Sequence, residues 1–470
     1  MTQGLLPYTV EVVAGADTLT ARAGLPLVLE TLRALGGEDI IREAVRVRQR
    51  ASGYSEVEKI EALVLLLAAG GTCLDDIEVL KADRGLARLL ERTLPGADTL
   101  RQFLYAFHDA RLIEAAQAAR PAGTVAYIPE ETAALQGLAR VNTALVHRVA
   151  AQGRGTRATL DYDATIQESH KREAQPHYQG GRGYQPAALY WVEQDLVVAD
   201  EYRDGNVPAG MATLPLIQRG FQSLPPTVTE YSFRADSASY DERVLQWLAD
   251  PDRPGGPRGP IGFTISADMT DPLRRLCAAV PEDTWELLEA RATETVRCAE
   301  VEFTPGEWPK DAWPLRYLVL QLRKTQGELF ATGSATKYLA VVTNRPGAVA
   351  ELIRWHWQKA GTIEQVHDVT KNELGAAVPP CGRFGANAAW YRLSLLTYNV
   401  LSAMKSLALP APLSTARPKR LRFALFSLAG RLITHAGQLV LRISAEAERL
   451  VGLVAARTRL VVLQQRIASG

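Results

Sequence analysis

The stretch Ala158-Thr-Leu-Asp-Tyr-Asp-Ala-Thr-Ile166 is where the grammar of this chain changes. Its side-chain types alternate at period two, which predicts a strand, and Asp161 and Asp163, two apart, then project from the same face. The Gly-rich run Gln179-Gly-Gly-Arg-Gly-Tyr184 predicts a turn. Beyond it, Ala187 to Val192 and Leu196 to Ala199 read as a hairpin or meander joined through Glu193-Gln-Asp195. Thr213 to Gln222 reads as helix, with Pro215 tolerable in its first turn. Val228 to Asp236 reads as a strand ending in an Asp, and Asp241 to Leu248 as the helix after it. Alternating strands and helices predict a mixed α/β region.

Upstream, residues 1–150 read mostly as helices. Ser55 caps one of them and Glu58, three residues on, completes a capping box; Val57, Ile60, Leu63, Val64 and Leu67 keep an apolar face. Thr72 to Leu80 and Asp98 to His108 predict further helices, and Arg42, Arg46, Arg48 and Arg50 suit either phosphates or a solvated helix face. Downstream, an irregular Pro254-Gly-Gly-Pro-Arg-Gly-Pro260 precedes a strand at Ile261 to Ala267 and a helix at Asp271 to Ala279. Strands follow around Thr293 to Phe303, Leu315 to Arg323 and Tyr338 to Thr343. Ala348 to Leu374 and Ala386 to Ala408 predict helices, and Arg417 to Arg466 one or two long ones. From Arg417 onward ten Lys/Arg stand against two acids, Glu446 and Glu448.

The whole chain has 470 residues, which at ~150 residues per domain suggests about three domains. Hydrophobic residues at 47% and charged residues at 22% exclude a disordered or fibrous protein. A net charge of +1 excludes a globally basic nucleic-acid coat but not local patches. Cys73, Cys277, Cys298 and Cys381 are too scattered for a disulfide framework or zinc ribbon, and a reducing compartment fits them. The N-terminus lacks the pattern of a signal peptide. The longest apolar stretch, Ile60 to Gly71, is interrupted by Glu61 and falls short of the ~18 residues of a membrane span. A cytoplasmic location without membrane partners follows as the expectation. No Gly-rich run fits a nucleotide-binding loop, so no nucleotide cofactor is expected.

Three acidic positions have contexts that surface carboxylates lack. Asp161 and Asp163 share a strand face, and Asp236 stands at a strand end, where open α/β sheets place their sites. Glu364 and Lys371, seven apart, share a helix face. Carboxylates with a nearby cation suit two-metal phosphoryl transfer, because Mg²⁺ prefers oxygen ligands and two such ions serve the attacking and leaving oxygens.

Several blocks in order resemble a DDE-type bacterial insertion-sequence transposase, the cut-and-paste branch with a β-domain insertion in a ribonuclease-H-like core. They are Leu94-Pro-Gly-Ala-Asp-Thr-Leu-Arg-Gln-Phe-Leu104, Leu160-Asp-Tyr-Asp-Ala-Thr165, Arg182-Gly-Tyr-Gln-Pro186 and Arg234-Ala-Asp-Ser237. Ala360-Gly-Thr-Ile-Glu-Gln-Val-His-Asp-Val-Thr-Lys-Asn-Glu-Leu-Gly375 and Phe384-Gly-Ala-Asn-Ala-Ala-Trp390 complete the set. The resemblance implies an α/β fold: a helical DNA-end-binding region over 1–150, a catalytic core over 151–253 and 345–410, an inserted β-rich domain over 254–344, and a basic helical C-terminal region over 411–470. The first Asp of the family stands before a small residue and Thr, matching Asp163, with Asp161 as the competing assignment; the second matches Asp236 and the Glu matches Glu364. Of the family's Tyr-x2-Arg-x3-Glu-x6-Lys signature, Glu364 and Lys371 are present. Trp357 stands at the tyrosine position and Ala360 at the arginine position, with Lys359 one residue earlier as a shifted phosphate contact.

The implied activity is strand cleavage and transfer of DNA at terminal inverted repeats, with two Mg²⁺ ions, or Mn²⁺ as substitute. The implied partners are terminal-repeat and target DNA and a second copy of the chain in the DNA complex, at the bacterial nucleoid. Lys371, Lys359, Arg182, Tyr184, Arg234, Arg417, Lys419, Arg420 and Arg422 are the expected DNA contacts. Trp308 and Trp313 are placed either to stack on a base or to pack beside proline. His367 shares the helix of Glu364 and suits either substrate contact or support of the site. Two alternatives remain at this level: a cleavage-incompetent DNA-binding regulator and a metal-dependent nuclease without strand transfer.

Overall fold

The computed structural model describes residues 18–47, 52–153, 155–306, 308, 313–324, 329–330, 333–443 and 447–469. Arg48, Arg50, Glu446 and the N-terminal seventeen residues, on which expectations were placed, lie outside the described residues. The chain forms two compact units. One is built from the chain before His108, Glu373–Gly375 and the chain from Val400 onward; the other from His108–Asn372 and Ala376–Asn399.

The larger unit is organised by one nine-stranded sheet. Its strands are β1 (Arg157–Ala164), β2 (Ala187–Trp191), β3 (Leu196–Glu201), β4 (Glu230–Ala235), β5 (Ile261–Ala267), β6 (Glu286–Ala290), β7 (Glu294–Val301), β8 (Arg316–Lys324) and β9 (Thr336–Thr343). The spatial order is β6-β7-β8-β9-β5-β4-β1-β2-β3. β1 pairs parallel with β4, and β4 with β5, while the remaining neighbours are antiparallel. The period-two reading of Ala158 to Ile166 therefore finds a strand. Its inner residues Ala158, Leu160 and Tyr162 are buried, as a central strand requires. Asp195 takes the left-handed conformation, φ 55°, that closes the turn between β2 and β3.

Helices α1 (Ala133–Ala150), α2 (Thr213–Gln222), α3 (Glu242–Ala249), α4 (Asp271–Ala279), α5 (Val349–Trp357), α6 (Ile363–Glu373) and α7 (Phe384–Leu407) accompany the sheet sequence. Asp241 caps α3 by accepting from the Arg243 and Val244 amides. Leu352 and Ile353 of α5 pack into an apolar cluster with Leu288, Val296, Cys298, Leu318, Leu320 and Val341 from β6 to β9. Ile261–Ala267, assigned above to an insertion beginning at 254, is hydrogen-bonded in parallel to β4, so the strands that extend the sheet start at β6. β6 itself, Glu-Leu-Leu-Glu-Ala, was not anticipated, because its composition is that of a helix.

The continuous helix expected over Ala348 to Leu374 is interrupted. α5 ends at Trp357, a 3₁₀ turn runs from Gln358 to Gly361, and α6 starts at Ile363. Gly361 and β-branched Thr362 are weak helix formers, and the Thr362 hydroxyl bonds the Lys359 carbonyl at 2.9 Å, an alternative to the helical ladder. The break decides where Lys359 and Thr362 lie.

In the smaller unit, Glu56–Ala69 forms the anticipated helix with Ser55 and Glu58 in a reciprocal capping box. Glu61, the charge that interrupts its apolar run, is fully buried and neutralised by Arg33 at 2.8 Å and by Arg92. Among the described residues no helix is long and apolar enough to cross a membrane. The segment Arg417 to Arg466, expected as long helices, contains an antiparallel hairpin, Gly430–His435 with Gln438–Ile443, before the helix Ala447–Ser469. Ala436 and Gly437 both have positive φ, 49° and 78°, the two-residue hairpin turn whose twist matches the strands. The aliphatic and β-branched runs Leu432-Ile-Thr434 and Leu439-Val-Leu441 on either side of that pair carried the signal.

Candidate active site

The parallel register of β1 and β4 sets Asp161 opposite Arg234. Two residues on, Asp163 near the end of β1 and Asp236 just past β4 therefore emerge together at the carboxyl ends of adjacent parallel strands. Burial pushes the Asp236 carboxyl up against the opposing charge of Lys359, and the charge of Asp163 adds to the rise. Burial likewise pushes up Asp163, opposed chiefly by Lys359.

The two aspartates of β1 have different surroundings. Asp161 is fully buried and takes a two-pronged bond from Arg234, Nε to Oδ1 at 2.7 Å and Nη2 to Oδ2 at 2.8 Å. The Thr362 hydroxyl shares its one proton between this carboxylate and the Lys359 carbonyl. Arg234 in turn donates from Nη1 to the Trp355 carbonyl at 2.7 Å and stacks on the Trp355 ring at 5.0 Å. Asp161 is thus committed to a buried ion pair. Asp163 keeps partial exposure, with Lys359 Nζ 3.5 Å from one oxygen and His367 Nε2 3.8 Å from the other.

Glu364, His367 and Lys371 follow one another on one face of α6 at spacings of three and four. His367 meets Asp163, and Lys371 Nζ donates to the Thr165 hydroxyl at 3.2 Å and the Ile166 carbonyl at 2.8 Å. Glu364 is exposed one turn before His367. Burial lowers Lys371 and, with the nearby charges of Lys359 and Lys371, holds the His367 imidazole neutral by pushing it down to about 3. Among the described residues neither ring nitrogen of His367 has a hydrogen-bond partner. His356, on α5, bonds Thr264 and Ser266 at 3.0 Å through its two nitrogens and is pushed down to about 4, by burial first.

Among the described residues no three His, Cys, Asp or Glu side chains already form a metal-holding group. Asp163 and Asp236 nonetheless fit a divalent cation in donor chemistry: two half-buried carboxylates repel each other, with an unpaired buried imidazole against one of them. The third carboxylate, Glu364, stands on the adjoining helix face and is not gathered with them.

Other expected contacts fall elsewhere. Arg234 is buried and engaged on all three guanidinium nitrogens, so it does not reach a DNA backbone. Tyr184 is also buried, its hydroxyl accepting from Asn387 at 3.1 Å and its ring packed 5.1 Å from that of Tyr202. Arg182 is exposed but braces its own turn through the Ala174 and Arg172 carbonyls, both at 2.8 Å. In the smaller unit, Arg417 pairs with Glu373 at 2.6 Å and Arg422 donates to the Glu373 carbonyl, while Lys419 and Arg420 are exposed. Trp313 is 53% exposed and Trp308 half-buried. Thr362 was not singled out in the sequence, since one hydroxyl two residues before Glu364 carries no signal until the helix break is known.

The family described as Transposase DDE domain group 1 matches residues 7–464. The chain belongs to that family. Its transposase membership spans both units and includes the strand ends that carry Asp163 and Asp236. Among solved structures, it is similar to a cryo-EM structure of the piggyBac transposase synaptic complex with hairpin DNA. Identity is 8% and the TM-score 0.43, over 95% of this chain and 81% of that one. No curated protein matches the chain.

Proposed function

We propose that this DDE transposase binds the terminal inverted repeats of an insertion sequence and cuts and joins DNA strands with divalent metal, Mg²⁺ or Mn²⁺. The observation that carries the reading is the meeting of Asp163 and Asp236 at the ends of adjacent parallel strands, with Lys359 between α5 and α6 beside them. The order β3-β2-β1-β4-β5, antiparallel then parallel, supports a ribonuclease-H-like core, with β6 to β9 as the inserted extension. The helices before His108 would recognise the ends, and two copies of the chain would hold two ends together.

Asp163, Asp236 and Glu364 would hold the metal, which supplies polarisation of the scissile phosphate and a more acidic attacking water. Arg234 and Thr362 fix Asp161, and through β1 they fix the direction of Asp163. Lys371 ties α6 to the chain after β1, so the face bearing Glu364 is held against that strand end. His367, neutral and without a competing hydrogen bond, adds an acceptor beside Asp163. Exposed Trp313 offers an aromatic face to an unstacked base.

The test uses DNA carrying the repeats that flank the gene. Asp236→Asn and Glu364→Gln abolish Mg²⁺-dependent cleavage while end binding, read by mobility shift, persists. Cleavage unchanged in both variants overturns the site. Tight end binding without any cleavage by the parent chain favours the regulator reading.

A further inference from the structure

Lys359 is 7% exposed, unusual for a lysine, and its burial is compensated by carboxylates. Its ammonium lies 3.5 Å from Asp163 Oδ1. It is also the leading charge that opposes the burial of Asp236, and it acts on Asp161, whose own partner is Arg234. The same charge bears on His356 and His367. One buried cation therefore serves the carboxylate pair that would hold a metal. It stands on the 3₁₀ turn that breaks α5 from α6, and Gly361 in that turn has open space on its Cβ side. A flexible four-carbon stem carrying a point charge can leave such a place more readily than a planar guanidinium held by a fork of bonds.

We infer that Lys359 is a built-in counter-ion: it occupies the cation position beside Asp163 until a divalent ion arrives, and so sets the affinity of the site for metal. The inference rests on the reading that these aspartates hold the metal. Metal entry would displace the ammonium, which becomes free to meet a substrate phosphate.

The experiment measures Mn²⁺ binding to the full chain without DNA, by calorimetry and by the Mn²⁺ spin-resonance signal, for the parent, Lys359→Met, Lys359→Arg and Asp236→Asn. Losing an ammonium that competes at contact distance should tighten Mn²⁺ binding at least about tenfold in Lys359→Met. Lys359→Arg, which keeps the charge but holds it by a fork of bonds, binds Mn²⁺ no more tightly than the parent. Lys359→Met should also melt lower than the parent without metal and gain more on Mn²⁺ addition, since it leaves the carboxylates uncompensated. Equal or weaker Mn²⁺ binding by a folded Lys359→Met overturns the inference while Asp236→Asn still loses the ion, leaving the metal reading intact. Mn²⁺ binding absent from the parent and Lys359→Met alike overturns both.

Discussion

Arg234→Met removes one partner of a fully buried ion pair and provides a direct test of which aspartate of β1 is structural. Asp161 loses two short bonds, at 2.7 and 2.8 Å, and the Trp355 carbonyl loses its donor. Asp161 has no exposure through which water could replace them. Breaking such a pair from one side costs ~3–5 kcal/mol, whereas replacing both partners by apolar groups is often close to neutral. Urea unfolding followed by tryptophan fluorescence suits the measurement, because the Trp355 ring stacks on the guanidinium. The expected result is a loss of ~3–5 kcal/mol in Arg234→Met, a comparable loss in Asp161→Leu, and recovery of most of it in the double variant, a coupling of ~4 kcal/mol or more. The slope with urea should stay that of the parent, so that the midpoint shift reports stability. DNA cleavage should persist in the folded double variant, reduced where the direction of Asp163 is no longer held. Parent-like stability of Asp161→Leu together with complete loss of cleavage would refute the reasoning and return the first catalytic position to Asp161.

Burial pushes the Asp204 carboxyl up to about 7. The folded chain then holds its proton more tightly than the unfolded one, so the stabilisation is full below pH ~4 and is lost as pH rises through ~7. Asp204→Asn should flatten the melting temperature over that window and gain on the order of 2–4 kcal/mol at pH 8; an unchanged pH slope refutes it. In the smaller unit, the arginines around Glu61 keep some solvent access, 38% for Arg33 and 18% for Arg92, while Glu61 has none. The double variant Arg33→Met/Arg92→Met should therefore destabilise more than Glu61→Leu, by ~3 kcal/mol or more against the parent, in chemical unfolding; the reverse order would contradict the account.

Local pattern carried much of the α/β region. The period of Ala158 to Ile166, the capping residues Ser55 and Asp241, and the strand ending at Asp236 all act within a few residues, and the structure follows them. Long-range register was not legible: nothing within either strand says that Arg234 lies opposite Asp161, which is what ties one aspartate to a buried guanidinium and leaves the other partly exposed. The break at Gln358–Thr362 was missed because Ala348 to Leu374 keeps apolar residues at helical spacing on both sides of it. Helical spacing therefore holds from Glu364 to Lys371 and does not extend back to Trp357, so Lys359 reaches Asp163 although it falls off the family's arginine position. The hairpin at Gly430–Ile443 was overridden by the basic, leucine-rich composition around it, although Ala436-Gly437 marks its turn.

The central claim is that Asp163 and Asp236 meet metal directly during DNA cleavage. Replacing an oxygen ligand by sulfur shifts preference toward softer ions, so the decisive measurement is metal rescue of Asp236→Cys on terminal-repeat DNA. The account predicts no cleavage with Mg²⁺ and restored cleavage with Mn²⁺, at undiminished DNA binding. Full cleavage with Mg²⁺, or none with either ion in a folded, DNA-binding variant, would contradict it.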